Sequence, residues 1–171
     1  MNFPDIFYNT PNLSGNLDMD SLDRKILDLL QVDATLPVSE LAERIGLSNG
    51  PCWRRVKKLE DEGYISRRVA LLDRTKANVS TTVFVMIRTS RHTVEWLKLF
   101  REAIEKIPEI IGAWRLTGQD DYLLHIVVPD VAMYDSVYKR MITQLEFSNI
   151  SASISMEEIK STTAVPTNYI K

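Results

Sequence analysis

The apolar residues change period at Tyr64, and that single break does most to limit what the chain can become. From Asp20 to Gly63 they recur at helical spacing, whereas beyond Gly63 short alternating runs are interleaved with helical stretches. A helical segment followed by mixed strands and helices is the pattern of a small helical domain joined to an α+β domain. At 171 residues there is length for two modest cores.

The first segment reads as three helices. Asp20 is a good N-cap, Asp23 sits where a carboxylate complements the helix dipole, and Leu22, Ile26, Leu29 and Leu30 form the apolar stripe. A second helix over Val38–Ile45 turns Leu41, Ala42 and Ile45 inward, and Gly46 stops it. After Leu47, Ser48 is placed to cap a third helix running to Glu62, which Gly63 ends. Two helices separated by Gly46-Leu47-Ser48 have the spacing of a helix-turn-helix, although other packed helical hairpins share it.

Past Tyr64, YISRRVALLD (64–73) reads as a strand and DRTKANVS as a polar linker. Then come a strand over 82–89, a helix over 94–107, strands over 110–117 and 122–128, a helix over 131–145 and a strand over 150–157. Leu97, Phe100, Ile104 and Ile107 share a face of the first helix; Tyr134, Val137, Tyr138 and Met141 share one of the second, which Asp130 caps. This βαββαβ order is the ferredoxin-like split unit.

Both faces of that sheet are apolar. Val83, Val85 and Ile87 point away from Phe84 and Met86, and Tyr122, Leu124 and Ile126 away from Leu123 and Val127. Two helices cover one face, so the other calls for a second subunit. The last strand alternates Ile150, Ala152, Ile154 and Met156 with Ser151, Ser153, Ser155 and Glu157, so one of its faces is wet or lines a polar site.

Composition mainly excludes. With 44% hydrophobic and 26% charged residues the chain has a globular composition, and no apolar run reaches the ~20 residues of a membrane helix. The N-terminus has neither the basic nor the apolar region of an export signal, and the lone Cys52 fits a reducing, cytoplasmic setting. Residues 1–17 lack periodicity and read as a flexible extension, and Met19, where the pattern begins, is an alternative start. His92 and His125 stand apart from any ligand cluster, and no catalytic triad, phosphate loop or paired carboxylate pattern emerges, so neither metal, cofactor nor enzymatic chemistry is expected.

A net charge of −2 gives no overall signature for nucleic acid, so local placement has to carry it. On the third helix Cys52, Val56, Leu59 and Gly63 fall on one side, leaving Gly50, Arg54 and Lys57 opposite, flanked by Asn49, Trp53 and Lys58. Arg, Lys and Asn read base edges, and the N-terminal part of a recognition helix enters the major groove. Asn49, Gly50, Trp53 and Arg54 are therefore the base-side candidates, and Lys57, Lys58, Arg67 and Arg68 the phosphate candidates. A cationic helix face can equally be a solvated one. Arg55 lies nearer the packed flank, where an ion-pair partner is as good a reading as DNA.

The segments MDSLDRKILDLL, VSELAERIGLSNGPCWRRVKKLEDEGYI and VALLD together resemble the DNA-binding half of the Lrp/AsnC regulators. AWRLTGQDDYLLHIVVPD and SMEEIKSTTAVP resemble the centre and end of that family's ligand-responsive domain, extending the resemblance over 19–166. The resemblance implies a winged-helix-like helix-turn-helix over 18–63, a hinge over 64–80, and over 81–171 a ferredoxin-like domain that dimerises, assembles into octamers and binds amino acids between dimers. It makes Ser48, Asn49, Gly50, Pro51, Trp53, Arg54 and Lys57 the DNA-reading helix, and places an effector turn on Gly118, Gln119, Asp120, Asp121 and Tyr122. Gln119 stands where the family carries an acid, and Gly118 and Asp121 would also serve simply to shape a tight hairpin. Pro37, at the usual capping position of the second helix, is a further departure that a first turn tolerates. Several stretches, among them GPCWRRVKKLEDEG and IKSTTAVP, are most similar to members that respond to cysteine and switch on its detoxification. The expected function is an amino-acid-responsive DNA-binding regulator of amino-acid metabolism genes; the alternative is a binding module whose helical head docks protein.

Overall fold

The computed structural model describes residues 19–170, so the extension at 1–17 lies outside the described residues. The chain falls into two compact units: one runs to Ala70 and takes in the segment from Ser161 onward, the other is Leu71–Lys160.

The first unit holds α1 (Ser21–Val32), α2 (Val38–Ile45) and α3 (Asn49–Asp61). Asp20 caps α1: its carboxylate accepts from the Leu22 and Asp23 amides at 2.9 Å, and Asp23 returns the bond to the Asp20 amide at 3.4 Å. Ile26, Leu27, Leu41, Ala42, Ile45, Cys52, Val56 and Leu59 are buried together with Met19. The stripe on α1 is centred on Ile26 and Leu27; Leu22, Leu29 and Leu30 pack only at its margin. Pro37 immediately precedes α2 and its carbonyl accepts the Leu41 amide, so the helix starts where the sequence put it. Gly46 takes a φ of 74°, which lets the Leu47 amide reach back to the Ala42 carbonyl at 2.9 Å and turns the chain sharply into α3.

Tyr64 and Ile65 still pack on this core, but the strand expected over 64–73 does not form. The segment runs without a ladder, and Val69, Leu71 and Leu72 are exposed. Alternation predicts an extended chain; a strand also needs a partner edge, and none is offered among the described residues. Asp73 ends the stretch by accepting from the Thr75 and Lys76 amides at 2.9 and 3.1 Å.

The second unit contains β1 (Thr81–Arg88), α4 (Val94–Glu105), β2 (Ile110–Arg115), β3 (Tyr122–Val128), α5 (Val131–Gln144) and β4 (Asn149–Ile154). The sheet is antiparallel throughout, in the order β2-β3-β1-β4, the ferredoxin-like arrangement. Val85 opposes Leu124 on one side and Ala152 on the other, which fixes the register that sends Val83, Val85, Ile87, Leu124 and Ile126 under α4 and α5. Phe84, Met86, Leu123, His125, Trp114, Ser151 and Ser153 therefore lie on the opposite, uncovered face. Strand β2 ends at Arg115, short of the expected 117, with one further bond from the Leu116 amide to the Asp121 carbonyl before the turn at Gly118. Strand β4 ends at Ile154, opposite Val83, with one further bond from the Ser155 amide to the Thr82 carbonyl, and so stops short of the expected 157.

From Ser161 the chain belongs to the first unit, although its sequence pattern assigns it to the C-terminal domain. A short 3-10 turn, Thr167–Tyr169, packs there, with Thr167 buried and Ile170 against the helical core.

Candidate nucleic-acid interface and effector turn

Helix α3 presents the outward face expected of it. Cys52, Val56 and Leu59 are buried, while Asn49, Gly50, Trp53, Arg54, Lys57 and Lys58 are exposed, Trp53 by 55%. Ser48 occupies the N-cap position, but its hydroxyl makes no capping bond, and Pro51 contributes no amide. Free amides and a free hydroxyl at a helix start suit an anionic oxygen. Trp53, Arg54, Lys57 and Lys58 line one depression with Asp61 and Glu62; Pro51, Arg54, Arg55 and Lys58 line another with Asp23. Arg54 borders both.

The cations on this face are not equivalent. Lys57 pairs with Asp61 one turn on at 2.8 Å, and that hydrogen bond raises its pKa. Arg54 and Lys58 have no ion-pair partner among the described residues. Arg68, expected at phosphate, instead donates to the Ala34 carbonyl at 3.0 Å and to Glu60 at 3.1 Å, tying the chain after α3 to the loop after α1. Arg67 is exposed beside it.

Arg55 resolves toward the structural reading. One guanidinium nitrogen lies 2.7 Å from Asp23 and the other 2.8 Å from Asp20, the two acids of the α1 capping box. Hydrogen bonding, first to Asp23 and also to Asp20, raises its pKa, and the Asp23 amide holds the Asp20 carboxyl below its ordinary value, with Arg55 adding to that. The signal available in sequence was a cation on the packed flank together with two aspartates spaced to cap one helix.

The candidate effector turn is a compact hairpin between β2 and β3. Gly118 has a φ of 124°, Gln119 is exposed, and Asp120 lies 3.7 Å from Arg88. The Asp121 carboxylate accepts the Thr89 amide at 2.8 Å and its own amide donates to the Ile87 carbonyl, so this acid fastens the turn to the end of β1. The Tyr122 ring is in the core, with centroids 4.6 Å from Phe100 and 5.5 Å from Trp96. The structure thus separates the five residues: Gly118, Gln119 and Asp120 face outward at the tip, while Asp121 and Tyr122 hold it. Arg88 and His92, the latter 4.0 Å from Asp121, stand beside the tip and were not foreseen. Among the described residues no cluster of acids, histidines or cysteines could hold a metal.

Comparison with known proteins agrees with both halves. The profile described as winged helix-turn-helix DNA-binding matches residues 19–66, and the one described as Lrp/AsnC ligand binding domain matches 82–165. The HTH-type transcriptional regulator Zrp of Zymomonas mobilis is 47% identical over 89% of this chain and 99% of its own. The crystal structure of an AsnC family transcriptional regulator from Agrobacterium tumefaciens is 53% identical, covers 90% of this chain and 100% of its own, and superposes with a TM-score of 0.87. A transcriptional regulator from Neisseria meningitidis, solved as its L-Met complex, is 32% identical over 90% of this chain and 99% of its own, with a TM-score of 0.84. A DNA-binding helix-turn-helix and a ligand-binding domain, in this order and on this fold, place the chain in the Lrp/AsnC family of transcriptional regulators.

Proposed function

We propose that this regulator reads specific double-stranded DNA sites through Ser48, Asn49, Gly50, Trp53 and Arg54 on α3, and that a small amino acid binding at the Gly118–Gln119–Asp120 tip modulates it. The observation that carries the DNA half is the face of α3, where Arg54 and Lys58 are exposed and unpaired while the neighbouring Arg55 is locked inward. Lys57, Lys58 and Arg67 serve phosphates, and Arg68 acts through the loop it fastens. For the effector, the tip offers a carboxylate at Asp120 for an ammonium group, and the Arg88 guanidinium with the His92 imidazole beside it for a carboxylate. The methionine complex of the Neisseria protein supports an amino acid as the ligand class, and the resemblance to cysteine-responsive members makes cysteine the first to try.

The unit of function in this reading is a homodimer closed over the uncovered sheet face, where Phe84, Met86, Trp114 and Leu123 meet their symmetry mates. Octamers follow from the family resemblance, and genes of amino-acid metabolism are the expected targets.

The test is binding to the DNA upstream of its own gene across a salt series, with and without each common amino acid. Affinity should fall steeply with salt, by a log–log slope of about 0.9 per phosphate neutralised, and shift with one or a few amino acids. Salt-insensitive or absent binding would sink the DNA half; a binding curve that no amino acid moves would sink the effector half.

A further inference from the structure

Neither family profile reaches residues 166–170, yet they are tied to α1. Arg24, Asp28 and Gln31 form a ridge on that helix at i, i+4 and i+7, the spacing that aligns side chains along one face. Gln31 makes a reciprocal pair with Val165: its amide nitrogen donates to the Val165 carbonyl at 3.1 Å and its carbonyl accepts the Val165 amide at 2.6 Å. The Thr167 hydroxyl, buried, donates to Asp28 at 2.8 Å, and Arg24 donates to the Ile170 carbonyl at 3.1 Å. Each contact is made to main chain or to a small hydroxyl, in the manner of a surface that holds an extended peptide. Ile170 adds an apolar anchor in the helical core.

We propose that the Arg24–Asp28–Gln31 ridge is a docking surface for the chain's own C-terminal segment, which straps the DNA-binding head to the sheet domain by a second covalent connection. The first connection is the 64–80 segment. Its stretch 69–73 lies between Arg68, bound to Ala34 and Glu60, and Arg74, which reaches Thr82 at 3.2 Å and Glu158 at 3.8 Å. The second leaves β4 at Ile154 and is held again from Val165. A single flexible tether lets a domain turn about it; two that leave from different points restrict that turning. In a dimeric regulator the orientation of the heads sets the spacing of the half-sites they can hold together, so the strap limits which operators fit. This consequence rests on the DNA-binding reading above, whereas the docking itself does not.

The experiment uses the full chain and the variants Gln31→Ala and Gln31→Ala/Thr167→Val, which leave Ile170 and the core in place. Hydrogen exchange of the Val165 amide reports docking: slow in the parent and at the free-peptide rate in Gln31→Ala. A Val165 amide that already exchanges freely in the parent overturns the docking surface. Spin-label distances between α1 and α5 report the restraint: the distribution should broaden in the double variant, and superposable distributions overturn the strap. Binding to operators with half-sites moved apart base pair by base pair reports the consequence. The double variant should lose spacing selectivity while keeping the parent's salt slope. If the parent shows no salt-dependent DNA binding, the DNA reading fails while the exchange and distance results still decide the strap.

Discussion

Arg54 and Arg55 are adjacent on α3 and chemically identical, yet the structure gives them opposite work, and replacing each in turn separates the two. In Arg55→Met, Asp23 loses its partner while its side chain stays only 6% exposed; the arginine is 31% exposed and Asp20 46%. Removing one partner of a fully buried pair costs about 3–5 kcal/mol, and an exposed pair contributes about 0–1 kcal/mol. Solvent reaches the Asp20 arm freely, so that arm adds little. The Asp23 arm then sets the cost, about 2 kcal/mol for a hydrogen bond to a charged group. For a domain as small as the head this corresponds to a fall in Tm of about 8–16 °C. Scanning calorimetry of the full chain should show the head's transition moving and the sheet domain's staying. Arg54→Ala should leave that transition in place and instead weaken binding to the specific site by about 1–3 kcal/mol and relax base discrimination there, with little change in the salt slope. The reasoning fails if Arg55→Met melts with the parent and loses slope, because Arg55 would then be a DNA contact. Acid should bring a separate and smaller loss through the cap at Asp20. The folded head holds the Asp20 carboxyl below its ordinary 3.8, so the unfolded chain takes up the proton first, and this contribution, full above 3.8, is lost as pH falls through the lower folded value.

Gly46→Ala should destabilise the head by about 1–2 kcal/mol with no steric cause, since a Cβ there meets open space and only the positive φ resists it; denaturant midpoints measure it. Gly112→Ala acts through contact: its Cβ would fall 2.4 Å from the Trp114 ring, which must lift from the uncovered sheet face. Tryptophan fluorescence should shift and the proposed dimer weaken, read by light scattering, while the fold persists. His125 stacks on Phe84 with ring centroids 5.0 Å apart and a buried, unpartnered Nε2. Burial, helped by Arg74 and opposed by Glu158, lowers its pKa from the ordinary 6.5. The unfolded chain protonates first on acidification, so the sheet domain should lose stability as pH falls below 6.5, and His125→Gln should flatten that dependence in urea titrations at successive pH values.

What could be read from the residues was whatever local pattern decides. The capping box at Asp20, the stop at Gly46, the split of Val83, Val85 and Ile87 from Phe84 and Met86, and the cationic face opposite Cys52, Val56 and Leu59 each depend on neighbours within a turn or two. What could not be read depends on partners far along the chain. The 64–73 segment alternates correctly for a strand, but pairing is a property of two edges. The family resemblance assigns Tyr122 to the effector turn while its alternation puts it on the face of Leu124 and Ile126; contacts with Trp96 and Phe100, distant in sequence, place its ring in the core. Arg68 looked like a phosphate contact because nothing nearby in sequence reveals the Ala34 carbonyl.

These distant ties compose a route. The ligand-binding domain is continuous through β4 with the C-terminal segment, and that segment is held on α1 by Gln31, Asp28 and Arg24. The N-terminus of α1 is held in turn by Asp20 and Asp23 to Arg55, which belongs to the same helix as Arg54, Trp53 and Asn49. Within the first unit, hydrogen bonds and ion pairs therefore run from the Val165–Ile170 segment through α1 to α3, the helix proposed to read DNA. Long-range ties that no local pattern announces are what a coupling between separate domains requires, because a helix fixed solely by its neighbours in sequence could not respond to a ligand bound a domain away.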